Sequence, residues 1–127
     1  MPKKPGLLSK LFRRKARAQG TRSYMSPEQI RGEPIDGRAD IYSFGASAYE
    51  LVTGRPPFRA ASSQELLTKQ ILEKPITPRQ YNPDVSEAFA DLVLRMLAKK
   101  RQDRPKDFHE VLMAMRGLRV FKNVDGK

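Results

Sequence analysis

Residues 20–58 read GTRSYMSPEQIRGEPIDGRADIYSFGASAYELVTGRPPF and contain the start and end signals of two helices. Ser26-Pro27-Glu28 is typical of a helix start, because proline is tolerated in the first turn and an acidic side chain is favoured near the positive helix end. Gly32 ends that helix early. Asp40 is expected to cap a second helix, which ends at Gly54 ahead of a pair of prolines. The stretch therefore predicts a short helix followed by a longer one.

Caps and apolar spacing predict three further helices. Ser62 and Glu65 are spaced as a capping box, Ser86 can cap the next helix, and Asp107 with Glu110 can start the last one. Apolar residues recur at helical spacing in the second helix (Ile41, Phe44, Ala48, Leu51, Val52) and in the fourth (Phe89, Leu92, Val93, Met96, Leu97), and the last helix is expected to bury Phe108, Val111, Leu112 and Met115. Alternating strand patterns are absent. The predicted fold class is mainly α.

Composition narrows the possible functions. The 127 residues suffice for one small domain, and the absence of cysteine excludes disulfides and thiolate metal sites. His109 is the only histidine, which argues against a zinc or histidine-based catalytic site. The sequence contains no apolar run near the ~18 residues of a membrane span. No metal site is expected.

The first 19 residues carry most of the net charge. They contain seven lysines and arginines and no acidic residue, in a chain whose formal net charge is +11. A basic cluster around Leu7, Leu8, Leu11 and Phe12 fits a flexible loop, a basic amphipathic helix on an anionic surface, or a transit peptide. The favoured interpretation is a solvated basic loop, and weak contact with anionic lipid or nucleic acid is the alternative.

Four motifs in order carry a family resemblance: GT..YMSPE, D.YSFG, TG..PF, and an RP dipeptide after a long helix. Together they resemble the C-terminal lobe of eukaryotic-like Ser/Thr protein kinases, from about Gly20 to about Leu118. The resemblance implies an activation-loop-like basic segment at 1–19, a partial kinase domain at 20–118 and a tail at 119–127. The expected architecture is the helical C-lobe without the N-lobe.

The same resemblance implies three structural residues. Glu28 stands at the end of the family's Ala-Pro-Glu motif, and its expected partner is Arg104, which precedes Pro105. A carboxylate that is largely buried needs such a bidentate partner. Asp40 matches the aspartate at the start of the family's central helix, where it accepts hydrogen bonds from the backbone of the catalytic loop.

Substrate contact and regulation are implied for the preceding segment. Gly20 and Thr21 match the family's substrate-contacting residues, and a threonine at this position favours Ser/Thr over Tyr as the phosphorylated residue. Ser9, Thr21 and Ser23 are hydroxyls in or beside the activation segment, and they are the candidate phosphorylation sites.

The motifs that perform phosphoryl transfer are missing from the sequence, which contains no G-x-G-x-x-G, V-A-I-K, H-R-D or D-F-G. We therefore expect no catalytic residue and no cofactor in this chain, with ATP and Mg²⁺ belonging to an intact parent kinase. The chain alone is expected to be inactive, either as part of a longer kinase whose start is misassigned or as the product of a truncated gene.

A different class of function fits the same residues. The chain is alternatively a non-catalytic helical module that docks kinase partners or protein substrates through its third helix. The central helix would lack the neighbours that cover it in the family, so Ile41, Phe44 and Leu51 are expected to form an exposed apolar patch and to favour self-association. The expected location is intracellular and cytoplasmic, because kinases need ATP.

Overall fold

The structure, a computed structural model, describes residues 22–122. Their helices are α1 (Pro27–Ile30), α2 (Gly37–Thr53), α3 (Ser63–Leu72), α4 (Glu87–Met96) and α5 (Phe108–Arg116). Short 3-10 turns occur at Arg22–Tyr24, Pro78–Gln80 and Arg101–Asp103. In this part of the chain the only β pairing is one isolated bridge between Val85 and Phe121. The prediction of a mainly α fold is confirmed.

Local capping explains where four of the helices begin. Ser26 and Gln29 form a closed capping box at α1, since each accepts a hydrogen bond from the backbone N–H of the other. The caps predicted for α3, α4 and α5 are also confirmed, and they are Ser62, Ser86 and Asp107. At α3 the box is not closed, because the carboxylate of Glu65 accepts from Ala61 N–H instead of Ser62 N–H.

The prediction that Asp40 caps α2 is wrong. The helix begins about one turn earlier, at Gly37, and its N-cap is Asp36. The Asp36 carboxylate accepts a hydrogen bond from Arg38 N–H at 2.9 Å and binds the Arg38 guanidinium at 2.8 Å. This local pair satisfies a free donor of the first turn, so the helix starts there and Asp40 lies inside its first turn. The predicted end is confirmed, because Gly54 has the left-handed conformation with φ of 78°.

The core lies between α2 and α4. Ile41, Tyr42, Ala46 and Tyr49 of α2 are fully buried, and they share one cluster with Phe89, Ala90, Leu92, Val93, Met96 and Leu97. The apolar face predicted for the fourth helix is therefore confirmed. On α5 only Val111 is buried, whereas Phe108 and Leu112 are exposed and Met115 is half-buried. The burial predicted for Phe108 and Leu112 is wrong, and that predicted for Met115 is confirmed in part, because α5 contacts the core along a narrower stripe than its apolar pattern suggests.

Gly45 permits the close approach of α2 to α4. A Cβ atom at this position would lie 2.8 Å from Met96 Cβ and 3.4 Å from Leu97 Cγ. Met96 Cβ is attached directly to the backbone, so it can move away only if α4 moves as well. The glycine therefore sets the distance between the two helices that build the core.

We expect Gly45→Ala to lower the free energy of unfolding by about 1–3 kcal/mol, the usual cost of overpacking a core. Urea denaturation monitored by circular dichroism measures the change. Gly37→Ala is the matched control, because a Cβ there meets no atom within 4 Å. Alanine is the better helix former, so the control should be neutral or stabilising. Equal effects of the two substitutions would contradict the tight contact.

Candidate functional site

Glu28 and Arg104 form a buried, bidentate ion pair. Glu28 lies in the first turn of α1, and Arg104 follows the 3-10 turn Arg101–Asp103. Arg104 Nη1 donates to Glu28 Oε2 at 2.7 Å, and Nη2 donates to Oε1 at 2.8 Å. The two residues are 3% and 2% exposed, although 76 positions separate them in the sequence. The structure thus brings together the two residues that the resemblance pairs.

The remaining donors of Arg104 are used by backbone carbonyls. Nε donates to Ala98 O at 2.8 Å, Nη1 to Arg38 O at 2.9 Å and Nη2 to Lys99 O at 3.2 Å. The guanidinium also lies 5.1 Å from the centre of the Tyr42 ring. Because every nitrogen has an acceptor, the desolvation of the guanidinium is compensated. One side chain therefore ties α1, the start of α2 and the segment after α4 to each other.

The ion pair sets the pKa of Glu28. Burial by itself raises this pKa, but hydrogen bonds from Arg104 and from the backbone, together with the positive charges of Arg104 and Arg101, outweigh burial and hold it below the ordinary value of 4.5. The carboxylate is consequently ionised at neutral pH. Its interaction with Arg104 is that of two full charges.

Arg104→Ala should lower the free energy of unfolding by about 3–5 kcal/mol, because it leaves the Glu28 carboxylate buried without its partner. Chemical denaturation of the purified chain measures the loss. Arg59→Ala is a matched control on an exposed arginine, and its effect should stay within about 0.5 kcal/mol. A small loss for Arg104→Ala, similar to the control, would show that the pair does not stabilise the fold.

Acidic pH should remove the contribution of the Glu28–Arg104 pair to the free energy of unfolding. A carboxyl group whose pKa is lowered by folding stabilises the native state above its unfolded-state pKa, near 4.5, and loses that contribution as the pH falls through the lower folded-state pKa. The difference in unfolding free energy between the unmodified chain and Glu28→Gln should therefore shrink below pH 4.5. Arg38 lowers the pKa of Asp36 to about 2 in both proteins, so Asp36 cancels in this difference. A difference that does not change with pH would contradict the ionised pair.

The segment that leads into α1 is anchored to α2 and α3. Ser43 Oγ donates to Tyr24 O at 2.6 Å, and the Tyr24 hydroxyl donates to the Glu50 carboxylate. Gln70 Nε2 donates to Arg22 O at 2.9 Å. The backbone directly after Gly20 and Thr21 is thereby fixed against the helical core.

Gln70 has a central part in this anchoring that the sequence analysis missed. It is fully buried, and its Oε1 accepts a hydrogen bond from the Tyr42 hydroxyl while its amide nitrogen holds Arg22 O. The sequence feature that could have indicated its burial is the spacing of four residues from the apolar Leu66, which places both residues on one face of α3. A polar residue on the buried face of a helix requires partners.

The other predicted site residues either lie outside the described residues, are buried, or have no described partner. Gly20, Thr21 and Ser9 lie outside the described residues. Ser23 is buried, so its phosphorylation would require the 3-10 turn that contains it to open. Asp40 is exposed in the first turn of α2, and no described residue makes a hydrogen bond or an ion pair with its carboxylate. The catalytic-loop contact that the resemblance implies for Asp40 stays a prediction.

From residue 22 to residue 122 no group of three or more histidine, cysteine, aspartate or glutamate side chains is arranged to hold a metal ion. His109 is exposed on α5. Over the same residues no helix is long and apolar enough to cross a membrane.

An apolar groove of about 510 Å³ opens along α2, and residues of α4, α5 and the following segment complete it. Its α2 wall includes Phe44 and Leu51, whose side chains are 42% and 85% exposed, while Phe89, Met115 and Phe121 line the rest. The exposed apolar patch expected at Phe44 and Leu51 is therefore confirmed. The same expectation is wrong for Ile41, which is fully buried because it faces α4.

Comparison with known proteins agrees with the motifs and with this geometry. The sequence pattern of the protein kinase domain family matches residues 6–115. The chain belongs to the protein kinase domain family. The resemblance inferred from the four motifs is confirmed. The match begins before Gly20, and the boundaries of the three expected segments stay predictions.

Several similar proteins with curated descriptions are bacterial kinases. The chain is 44% identical to the serine/threonine-protein kinase pkn3 of Myxococcus xanthus over 88 residues, which is 68% of this chain and 16% of that kinase. It is 41% identical to the serine/threonine-protein kinase PknB of Mycolicibacterium smegmatis over 85 residues, 67% of this chain and 14% of that kinase. A probable serine/threonine-protein kinase of Clostridium acetobutylicum is 38% identical over 93 residues. The chain thus spans only 14% to 16% of the length of these relatives.

Proposed function

We propose that this chain forms the substrate-side helical part of a protein serine/threonine kinase, an enzyme that transfers a phosphoryl group from ATP to Ser or Thr of proteins. The observation that carries the proposal is the buried pair of Glu28 and Arg104. It fixes the end of the segment that contains Gly20 and Thr21 to the helical core. A segment that positions a protein substrate must be rigidly supported, since small displacements of a substrate lower the rate strongly.

The catalytic groups are not supplied by this chain in the proposal. Phosphoryl transfer needs a glycine-rich loop, a lysine on a strand, a catalytic aspartate and ligands for Mg²⁺, and the sequence contains none of the motifs that carry them. ATP and Mg²⁺ would therefore be bound by other parts of a longer kinase, inside the cell where ATP is available. In the proposal the described residues contribute support, and Gly20 and Thr21, which lie outside them, contribute substrate placement.

Two arguments favour Ser or Thr as the phosphorylated residue in this proposal. Thr21 occupies the position that favours these residues in the family, and the relatives named above are serine/threonine-protein kinases. The expected partners are protein substrates that contact the segment around Gly20 and Thr21.

A chimaeric kinase tests the supporting role. Residues 20–118 of this chain replace the matching region of the Myxococcus xanthus kinase pkn3, and incorporation of labelled phosphate into a protein substrate is measured. We expect the chimaera to phosphorylate Ser or Thr, and Arg104→Ala within it to lower the rate by about tenfold to a hundredfold. Arg59→Ala within the same chimaera should leave the rate unchanged.

Two results would oppose the proposal. A chimaera that folds, binds ATP and yet transfers no phosphate would show that residues 20–118 are not a functional kinase segment. Phosphoryl transfer or saturable micromolar binding of Mg²⁺-ATP by the isolated chain would show that it contains a nucleotide site of its own.

One observation favours a second candidate function. The apolar groove exposes Phe44 and Leu51, and contiguous exposed apolar surface commonly marks a contact with another polypeptide. The chain would then act as a non-catalytic helical module. An inactive chimaera, together with polar substitutions at Phe44 and Leu51 that abolish self-association, would favour this candidate. The proposed contact of residues 1–19 with anionic surfaces lies outside the described residues.

A further inference from the structure

Arg55 lies in the loop that follows α2, and its backbone is held in one conformation. Gly54 before it ends α2 with a left-handed φ of 78°, and Pro56 and Pro57 after it have φ angles that their rings fix. The Arg55 N–H donates to Thr53 Oγ1 at 3.1 Å. The direction in which the Arg55 side chain leaves the backbone is therefore set by the end of α2.

The guanidinium of Arg55 lies over the ring of Tyr81, with its central carbon 4.1 Å from the ring centre. Tyr81 belongs to the loop between α3 and α4, and its N–H donates to Pro78 O at 3.1 Å. The next residue, Asn82, ties this loop to α2, because its Nδ2 donates to Val52 O at 2.8 Å. Both partners of the contact are thus anchored at the C-terminal end of α2. We call Arg55 and Tyr81 together the Arg55 site.

The guanidinium of Arg55 has no acceptor among the described residues, and no carboxylate of residues 22–122 forms an ion pair with it. Its Nε is buried without a hydrogen-bond partner, whereas Nη1 and Nη2 reach solvent. Arg38, Arg79 and Arg101 are also half-buried, and each of them donates to an oxygen. A buried donor without an acceptor costs free energy, so the contacts within this part of the chain do not account for the position of Arg55. The outer edge of its guanidinium is oriented but unused.

The segments that contain the Arg55 site supply positive charge only. Residues 55–61 and 74–82 include Arg55, Arg59, Lys74 and Arg79 and no acidic residue. Arg59 and Lys74 are exposed, and neither forms an ion pair with a described residue. Complementary charge therefore favours an anionic partner. Tyr81 is 37% exposed, and arginine and tyrosine are among the side chains that contribute most to protein interfaces.

We propose that the Arg55 site binds a Glu or Asp side chain of an acidic polypeptide segment. Nη1 and Nη2 donate to the two oxygens of one carboxylate, because a guanidinium and a carboxylate are planar groups of matching geometry. A single oriented guanidinium matches the one charge of a carboxylate, whereas a phosphate group carries close to two charges at neutral pH. Arg59 and Lys74 attract neighbouring acidic residues of the same segment without a fixed geometry.

The Arg55 site is separate from the apolar groove and from the pair of Glu28 and Arg104. Neither Arg55 nor Tyr81 lines the groove, and neither is a hydrogen-bond partner of Glu28 or Arg104. Binding of an acidic segment therefore does not depend on the function proposed above. It is tested without ATP and without the chimaera.

The test uses the full chain and two synthetic peptides, acetyl-Gly-Glu-Glu-Gly-Glu-Glu-Gly-amide and the same peptide with glutamine in place of every glutamate. Titrations are followed by calorimetry and by the NMR chemical shifts of the backbone amides and of Arg55 Nε–H. We expect the acidic peptide to bind at least about tenfold more tightly, because hydrogen bonds between charged groups are the strong ones. The largest shifts should occur at Arg55 and Tyr81, and added salt should weaken an ionic contact on an open surface.

Substitutions locate the site. Arg55→Gln should lower the affinity for the acidic peptide by at least about tenfold, and Arg55→Lys, which keeps the charge without the planar fork, should recover only part of it. Lys106→Gln is the matched control, since it removes one exposed positive charge elsewhere in the chain, and its effect should stay within about twofold. If Arg55→Gln does not fold, Tyr81→Leu decides in its place. It removes the ring that orients the guanidinium and should also lower the affinity.

Several outcomes would overturn the proposal. Equal affinities for the two peptides would remove the role of the carboxylates. Equal losses from Arg55→Gln and Lys106→Gln would show attraction to the net charge alone, and shifts centred away from Arg55 and Tyr81 would place the peptide elsewhere. A peptide with phosphoserine in place of one glutamate is a further probe. If it binds more than about tenfold more tightly and loses this gain in Arg55→Gln, the ligand is a phosphate group and not a carboxylate.

Discussion

The buried pair of Glu28 and Arg104 constrains the rest of the structure. Removing two charges from water costs several kcal/mol for each ion, so the pair is favourable only when every hydrogen-bond partner is in place. Those partners are the backbone carbonyls of Arg38, in the first turn of α2, and of Ala98 and Lys99, in the segment that follows α4. The pair therefore forms only in the assembled fold. It couples the position of α1 to the packing of α2 against α4, which Gly45 sets.

Four helix boundaries were predictable from the sequence because their causes are local, although the equally local cap of α2 at Asp36 was missed. Ser62, Ser86 and Asp107 cap their helices through side chains that reach N–H groups three residues on, and Gly54 ends α2 because it adopts a left-handed conformation. The contact between Glu28 and Arg104 spans 76 positions and was expected only from the family resemblance. Nothing in the spacing of two charged residues alone reveals such a pair.

What the sequence could not predict concerns the side of α2 that faces the core. Ile41, Phe44 and Leu51 share helical spacing, yet the helix turns Tyr42, Ala46 and Tyr49 inward with Ile41. Both tyrosines bury their rings and still satisfy their hydroxyls, Tyr42 at Gln70 and Tyr49 at Ile76 O, 2.7 Å away. A tyrosine side chain has an apolar ring and a polar hydroxyl, so it can be buried only where the hydroxyl finds a hydrogen-bond partner. Those partners lie on α3 and in the loop that follows it, so they are set by tertiary structure.

The distribution of polar contacts separates two sides of the central helix. One side of α2 holds the segment that leads to Thr21, through Ser43 and Glu50, and the buried tyrosines hold α3 and its loop. The other side, with Phe44 and Leu51, remains apolar and exposed. A small helical domain gains specificity from the first side, because each hydrogen bond there has one geometry that satisfies it. On the second side Phe44 still contacts the ring of Phe108 edge to face at 5.8 Å, whereas Leu51 is 85% exposed and gains little, since apolar area stabilises a fold only when it is removed from water. The segment from Arg22 to Glu28 is thus anchored by contacts within the described residues, whereas the apolar groove leaves much of Leu51 and part of Phe44 in contact with water.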